Sequence, residues 1–155
     1  MCSYCGCESI TVVGRFMAEH VEIINASGDL RRACERRDDA AVERAAHRLG
    51  HLLDPHTSAE ESGIFAVLSE DPEFTDHVAT LCAEHDDLGR QLAAIRRGEH
   101  RRFPVFERAL RDHIDREENG LFPAAAIAFA GPEWDRVESL TPAAHGHPHE
   151  HPHAV

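Results

Sequence analysis

One motif occurs twice in this 155-residue chain, and it restricts the fold more than any other feature. Leu53-x-x-His56-x-x-x-Glu60-Glu61-x-Gly63-x-Phe65 is matched by Leu110-x-x-His113-x-x-x-Glu117-Glu118-x-Gly120-x-Phe122. An Ala-Glu-His triplet precedes each copy, at Ala18-Glu19-His20 and at Ala83-Glu84-His85. On a helix, residues four apart project from one face, so each motif histidine shares a side with its glutamate. Leu53 and Leu110, three residues earlier, turn that same side toward a core. An apolar stripe interrupted by an imidazole and a carboxylate is costly unless something compensates the charge, and a metal ion is the usual answer. Two copies point to two metals.

The length is that of one domain able to bury a full core. A formal net charge of −12 argues against nucleic acid and anionic membranes as partners. The longest apolar run, residues 121–130, contains Pro123 and is too short to span a bilayer. The first basic residue is Arg15 and no apolar segment of the secretory kind follows it, which points to the cytoplasm. The chain has no lysine, so Schiff-base chemistry is excluded. Five cysteines, an odd number, do not resemble a secreted disulfide framework.

Helical signals dominate throughout. A first helix is expected over residues 10–36, with Phe16, His20, Ile23 and Ile24 inward. Asp38 and Asp39 offer N-cap chemistry for a second helix reaching residue 68. Asp71-Pro72-Glu73 marks the start of a third, ending at Arg97 before Gly98. A fourth starts near Phe103-Pro104 and either stops at Gly120 or continues to Phe129. Gly131-Pro132 breaks the chain before a short amphipathic piece around Trp134 and Val137. Pro55, directly before His56, should kink the second helix, either as a tolerated defect or as a device that aims His56. Four long helices joined by short loops imply an all-α, antiparallel up-down-up-down bundle. If its halves are related by a pseudo-two-fold, His20, His56, Glu60, His85, His113 and Glu117 converge at mid-bundle, a known setting for carboxylate-bridged metal pairs. Imidazole with carboxylate suits iron best, with manganese or zinc as substitutes.

This order, His20, His56-x-x-x-Glu60, His85, His113-x-x-x-Glu117, resembles the hemerythrin-like (HHE cation-binding) domains. The resemblance implies a four-helix bundle with a non-heme di-iron centre. By carry-over, His20 and His56 look like ligands to one iron, His85 and His113 to the other, and Glu60 and Glu117 like the bridging carboxylates. Oxygen-carrying hemerythrins place a further histidine one turn beyond the equivalent of His85, where this chain has Gly89. That departure implies a more open site, and O2, H2O2 or NO as small ligands to be bound, sensed or turned over, rather than simple oxygen carriage. Glu61, Glu118, a water or Tyr4 are candidates for the missing contact. The alternative is a metal-handling module that stores, senses or buffers metal without turnover.

The expected organisation is a Cys-containing segment at residues 1–9, a hemerythrin-like domain at 10–140 and a His-rich disordered tail at 141–155. Cys2-x-x-Cys5-x-Cys7 reads either as a thiolate site or as a functionally silent terminus. Alternating His145, His147, His149, His151 and His153 either buffer and deliver metal or are merely solvated. Glu61 and Glu118 point about 100° away from the motif glutamates, which favours supporting or solvated roles over ligation. Gly63 and Gly120 suggest close helix approach beside the metals or a bent helix end. His47 and His51 should face solvent, about 180° and 140° around the helix from His56. His77 and His100 read as surface residues, and Cys34 and Cys82 as small core residues.

Overall fold

The computed structural model describes residues 10–144; the cysteine cluster, Tyr4 and the five tail histidines lie outside them. All regular structure among the described residues is helical. α1 spans Thr11–Arg36. α2 spans Asp39–Glu60, passes through a π-helical turn at Glu61–Phe65 and finishes at Ala66–Leu68. α3 spans Thr75–Arg96. A 3₁₀ turn at His100–Arg102 leads into α4, Phe103–Arg116, which continues through a second π turn, Glu117–Leu121, to Phe122–Ala128. A short α5 spans Gly131–Leu140.

Local chemistry sets most of these ends. The Asp38 carboxylate accepts the Ala41 N–H at 3.0 Å and caps α2. Gly98, at φ 110°, takes the left-handed conformation after α3 that a side chain would resist. The start of α3 differs from the sequence expectation. Asp71 accepts the N–H of Glu73, and the Thr75 hydroxyl donates to the carbonyls of Ser69 and Asp71. These bonds close a separate turn over Asp71-Pro72-Glu73, and helical geometry begins only at Thr75. α2 runs through Pro55 without a break in the helix.

The core falls into two apolar clusters, and their order along each helix reveals the topology. α1 contributes Val12, Val13 and Phe16 to one cluster and Ile23, Ala26 and Leu30 to the other. α2 supplies them in reverse, Val42, Leu49 and Leu53 first and Ile64, Phe65 and Leu68 last. α3 repeats the order of α1, from Val78 and Leu81 to Leu88 and Ile95. α4 repeats that of α2, from Phe106 and Leu110 to Leu121 and Phe122. The helices therefore run up, down, up, down. Ile24 is only partly buried and packs at the edge of its cluster. Val137 of α5 is fully buried against the first cluster. Between the two apolar layers lies a polar one.

Candidate metal centre

Seven polar or charged residues are buried among the described residues, and six of them form this middle layer: His20, His56, Glu60, His85, His113 and Glu117. Each is at most 7 % exposed, and both glutamates are fully enclosed. They meet because each helix presents one imidazole at the level where its apolar stripe passes from one cluster to the other. Glu60 and Glu117, four residues after His56 and His113, return to the same side.

The geometry has two halves. Glu60 Oε1 stands 3.0 Å from His56 Nε2 and 3.5 Å from His20 Nε2, while Oε2 stands 3.2 Å from His85 Nε2. Glu117 Oε1 stands 2.7 Å from His113 Nε2 and 3.5 Å from His85 Nε2, while Oε2 lies 3.0 Å from His20 Nε2. Two groups of possible donor atoms result, His20–His56–Glu60–Glu117 and Glu60–His85–His113–Glu117, each within 4.8 Å. Both carboxylates belong to both groups.

The nitrogens and oxygens facing the centre are buried without hydrogen-bond geometry: Nε2 of His20, His85 and His113, and both oxygens of Glu60 and of Glu117. Leaving such atoms unsatisfied costs about 1–3 kcal/mol each. For seven atoms that rivals the entire net stability of a domain, about 5–15 kcal/mol. Ion pairing within the layer offsets part of it. Burial disfavours the charged form of His20, but Glu117, Glu118 and Glu60 outweigh it and raise its pKa to about 11. His85 is raised to about 10 and His56 to about 9, again by carboxylates acting against burial. Burial pushes the Glu60 carboxyl upward, yet His56, His20 and His85 hold it well below the usual range. A cation placed here would take over the role of those protons, and imidazole nitrogen with carboxylate oxygen is a donor set that suits it.

Around the layer runs a ring of four further glutamates. His56 Nδ1 donates to Glu19 at 2.6 Å, His85 to Glu61 at 2.8 Å, His113 to Glu84 at 2.7 Å and His20 to Glu118 at 2.9 Å. Every helix thus supplies a carboxylate to the histidine of the next helix in the chain, and α4 closes the circle onto α1. Because an ionised carboxylate only accepts, each Nδ1 carries a proton, and Nε2 is the nitrogen left facing the centre, where a cation would take the place of its proton. Arg15 and Arg116 brace the outer oxygens of Glu19 and Glu84, at 2.8 and 2.7 Å.

Glu61 and Glu118 therefore have the supporting role that their angular offset suggested. Glu19 and Glu84 were missed, although their recurrence in the Ala-Glu-His triplets was the signal. The closing phenylalanines of the repeat were missed as well. Phe65 stacks on His85 at 5.4 Å and Phe122 on His20 at 6.1 Å. Each motif copy thus grips the histidine of the opposite triplet with one glutamate and one ring.

Other residues fall outside the centre. His47 and His51 are exposed with their rings 4.5 Å apart, and His77 is exposed. His100 is not a free surface residue: it is half-buried, with Nε2 3.4 Å from Asp39. Cys34 is buried and Cys82 half-buried. Gly63 does allow close approach, but to Thr141 after α5 rather than to the centre, and nothing lies near the position a Gly120 side chain would take.

Fold and site together define a metal-binding helical bundle. The chain belongs to the family of the hemerythrin HHE cation-binding domain, whose family model matches residues 11–125. No curated protein and no solved structure matches it. No helix among the described residues is long and apolar enough to cross a membrane.

Proposed function

We propose that the chain is a non-heme di-iron protein that binds, senses or reacts with O2, peroxide or nitric oxide in the cytoplasm. His20 and His56 would hold one iron and His85 and His113 the other, with Glu60 and Glu117, which belong to both donor groups, available to each. The observation that carries this reading is the set of buried nitrogens and oxygens facing one another without hydrogen-bond partners at mid-bundle. When bound, a pair of irons supplies electron exchange with a small oxidant or radical, which these side chains alone cannot.

The protein's own contribution is positioning. Glu19, Glu61, Glu84 and Glu118 hold each imidazole in one tautomer and one orientation. Phe16 meets the His56 ring edge-on at 5.5 Å, and Phe65 and Phe122 cover faces of His85 and His20, keeping water from the imidazoles. Gly89, one turn beyond His85, leaves open space where a side chain would start. Gly89 is exposed and adds no further ligand to the centre.

Metal analysis of protein ending at Pro142, purified without metal-affinity steps, tests the proposal. Two irons per chain and a near-ultraviolet charge-transfer band are expected, both lost in His113→Ala or Glu60→Ala. Either variant retaining two irons and the wild-type spectrum would sink the ligand assignment. The second reading, metal handling without turnover, is favoured by one observation: the chain leaves the described residues beside a cavity that reaches His56.

A further inference from the structure

Charge is divided along the bundle much as the core is. Residues 26–49 and 89–111, which build the end held by the second apolar cluster, carry thirteen of the sixteen arginines and only seven carboxylates, a balance of +6. The rest of the chain sets three arginines against 21 carboxylates, a balance of −18. Those three, Arg15, Arg116 and Arg136, each have a carboxylate partner, in Glu19, Glu84 and Glu70. At the cationic end, six exposed arginines have none within 4.0 Å among the described residues: Arg36, Arg37, Arg44, Arg97, Arg101 and Arg108. With 28 carboxylates in the chain, a shortage of acid is not the reason. Like charges gathered on one end repel one another, and a partner of opposite sign relieves that repulsion.

Shape separates this end from an ordinary solvated face. Between α1 and α2 runs a groove of about 400 Å³, with Arg32, Arg36, Arg44 and Arg48 along its rim and alanines in its floor. Asp29 is its single carboxylate. A cavity of about 810 Å³ follows where α1 ends, with Arg31, Arg37, Arg101 and Arg102 on its walls against Glu35, Glu99 and Glu107. It shares Arg31 and Pro104 with a third hollow of about 500 Å³, which Arg108 and Arg111 border. The three form a concave, arginine-lined band around the C-terminal end of α1.

We propose that this band is a docking surface for an acidic segment of a partner protein. Arginine alone supplies its positive charge, and the planar guanidinium fork grips a carboxylate through two parallel bonds. The alanine floor takes the small apolar side chains that alternate with carboxylates in such a segment. Nucleic acid fits less well. The aromatic residues of this end, Phe103 and Phe106, are buried and offer bases nothing to stack on. A lipid surface fits less well too, because Val105 is the one large apolar side chain exposed here. A second copy of the chain brings its own net charge of −12 against another −12. The surface lies beyond the mid-bundle layer, and its role does not depend on what that layer binds.

Fluorescence anisotropy of a short labelled poly-L-glutamate peptide with the full-length protein tests it. Saturable binding of one peptide per chain is expected at low ionic strength, weakening as salt is raised. Arg36→Gln, Arg44→Gln and Arg101→Gln together should weaken it at least about tenfold. A second triple variant, Ile127→Glu, Arg136→Gln and Ser139→Glu, lowers the net charge by the same amount at exposed positions of the opposite end. It should change the affinity by less than about twofold. Equal losses in the two variants would mean a response to net charge alone and overturn the docking surface, as would peptide that never saturates. Tighter binding of a DNA oligonucleotide of matched charge, or of phosphatidylglycerol vesicles, would overturn the acidic segment as its occupant. A salt-sensitive dimer of the protein alone, broken by the first triple variant, would overturn it in favour of a second copy.

Discussion

At the scale of single residues, the centre is a set of imidazoles whose chemistry is decided one atom outward. His56 and His113 are reached by Glu19 and Glu84, and those carboxylates are themselves braced by Arg15 and Arg116. Removing such an outer partner typically weakens a metal site about 10–100-fold without removing a ligand. Glu84→Ala is therefore expected to lower metal affinity by that factor while stoichiometry at saturating metal is unchanged. Glu84→Gln, whose amide oxygen still accepts from Nδ1, should lose less. Competition titration against a chelator of known strength reads both. An affinity of Glu84→Ala equal to wild type would remove the carboxylate ring from the account of this centre.

At the scale of elements, the two π turns give the repeat its shape. In an α-helix, a residue five positions on lies about 140° around the axis, so Phe65 and Phe122 would face away from Glu60 and Glu117. The i→i+5 spacing of a π turn brings them back toward the site, where they stack on His85 and His20. The glycines inside these turns are not equivalent. A side chain at Gly63 would come within 2.1 Å of Thr141 Oγ1 and 3.3 Å of the Val137 carbonyl, whereas at Gly120 it would meet nothing within 4 Å. Gly63→Ala should push the end of α5 outward and destabilise the protein by about 1–3 kcal/mol. Gly120→Ala should be neutral or stabilising by up to about 1 kcal/mol. Denaturant unfolding of the two variants side by side makes the comparison, and equal effects would contradict the packing of α5 on α2.

At the scale of the whole molecule, the polar layer makes stability depend on both protons and metal. In chelator-treated protein, the raised pKa values of His20, His56 and His85 contribute stability that is complete below about pH 6.5 and fades as pH rises through 9 to 11. The lowered pKa of Glu117, about 2, contributes stability that is complete above about pH 4.5 and fades on acidification. The metal-free bundle should be most stable between those limits and lose melting temperature toward pH 9. Metal must displace the Nε2 protons, so the stabilisation gained on loading should grow over the same range. At a hundredfold excess over Kd, one ion adds about 2.7 kcal/mol, or about 5–11 °C in a protein of this size. Melts of stripped and loaded protein at about pH 5.5 and pH 9 check both signs. A stripped protein with the same melting temperature at both values would contradict the ion-paired layer.

Much of this was legible in the chain because it rests on helical periodicity. The fourfold spacing of His56 with Glu60 and of His113 with Glu117 fixes a shared helix face, and Leu53 and Leu110 orient that face inward, with no knowledge of the partner helices. Helix ends at Asp38 and Gly98 were legible for the same local reason. What no spacing along one helix could reveal is which carboxylate meets which imidazole. Glu19 serves His56, and Glu118 serves His20, across 98 residues of sequence. The π turns, the seat of Thr141 on Gly63 and the cavity where the C-terminal segment begins likewise depend on how helices pack. The sequence alone therefore determined which faces are buried and what chemistry they carry; only the tertiary structure decided who faces whom, because those contacts are set by distances between helices.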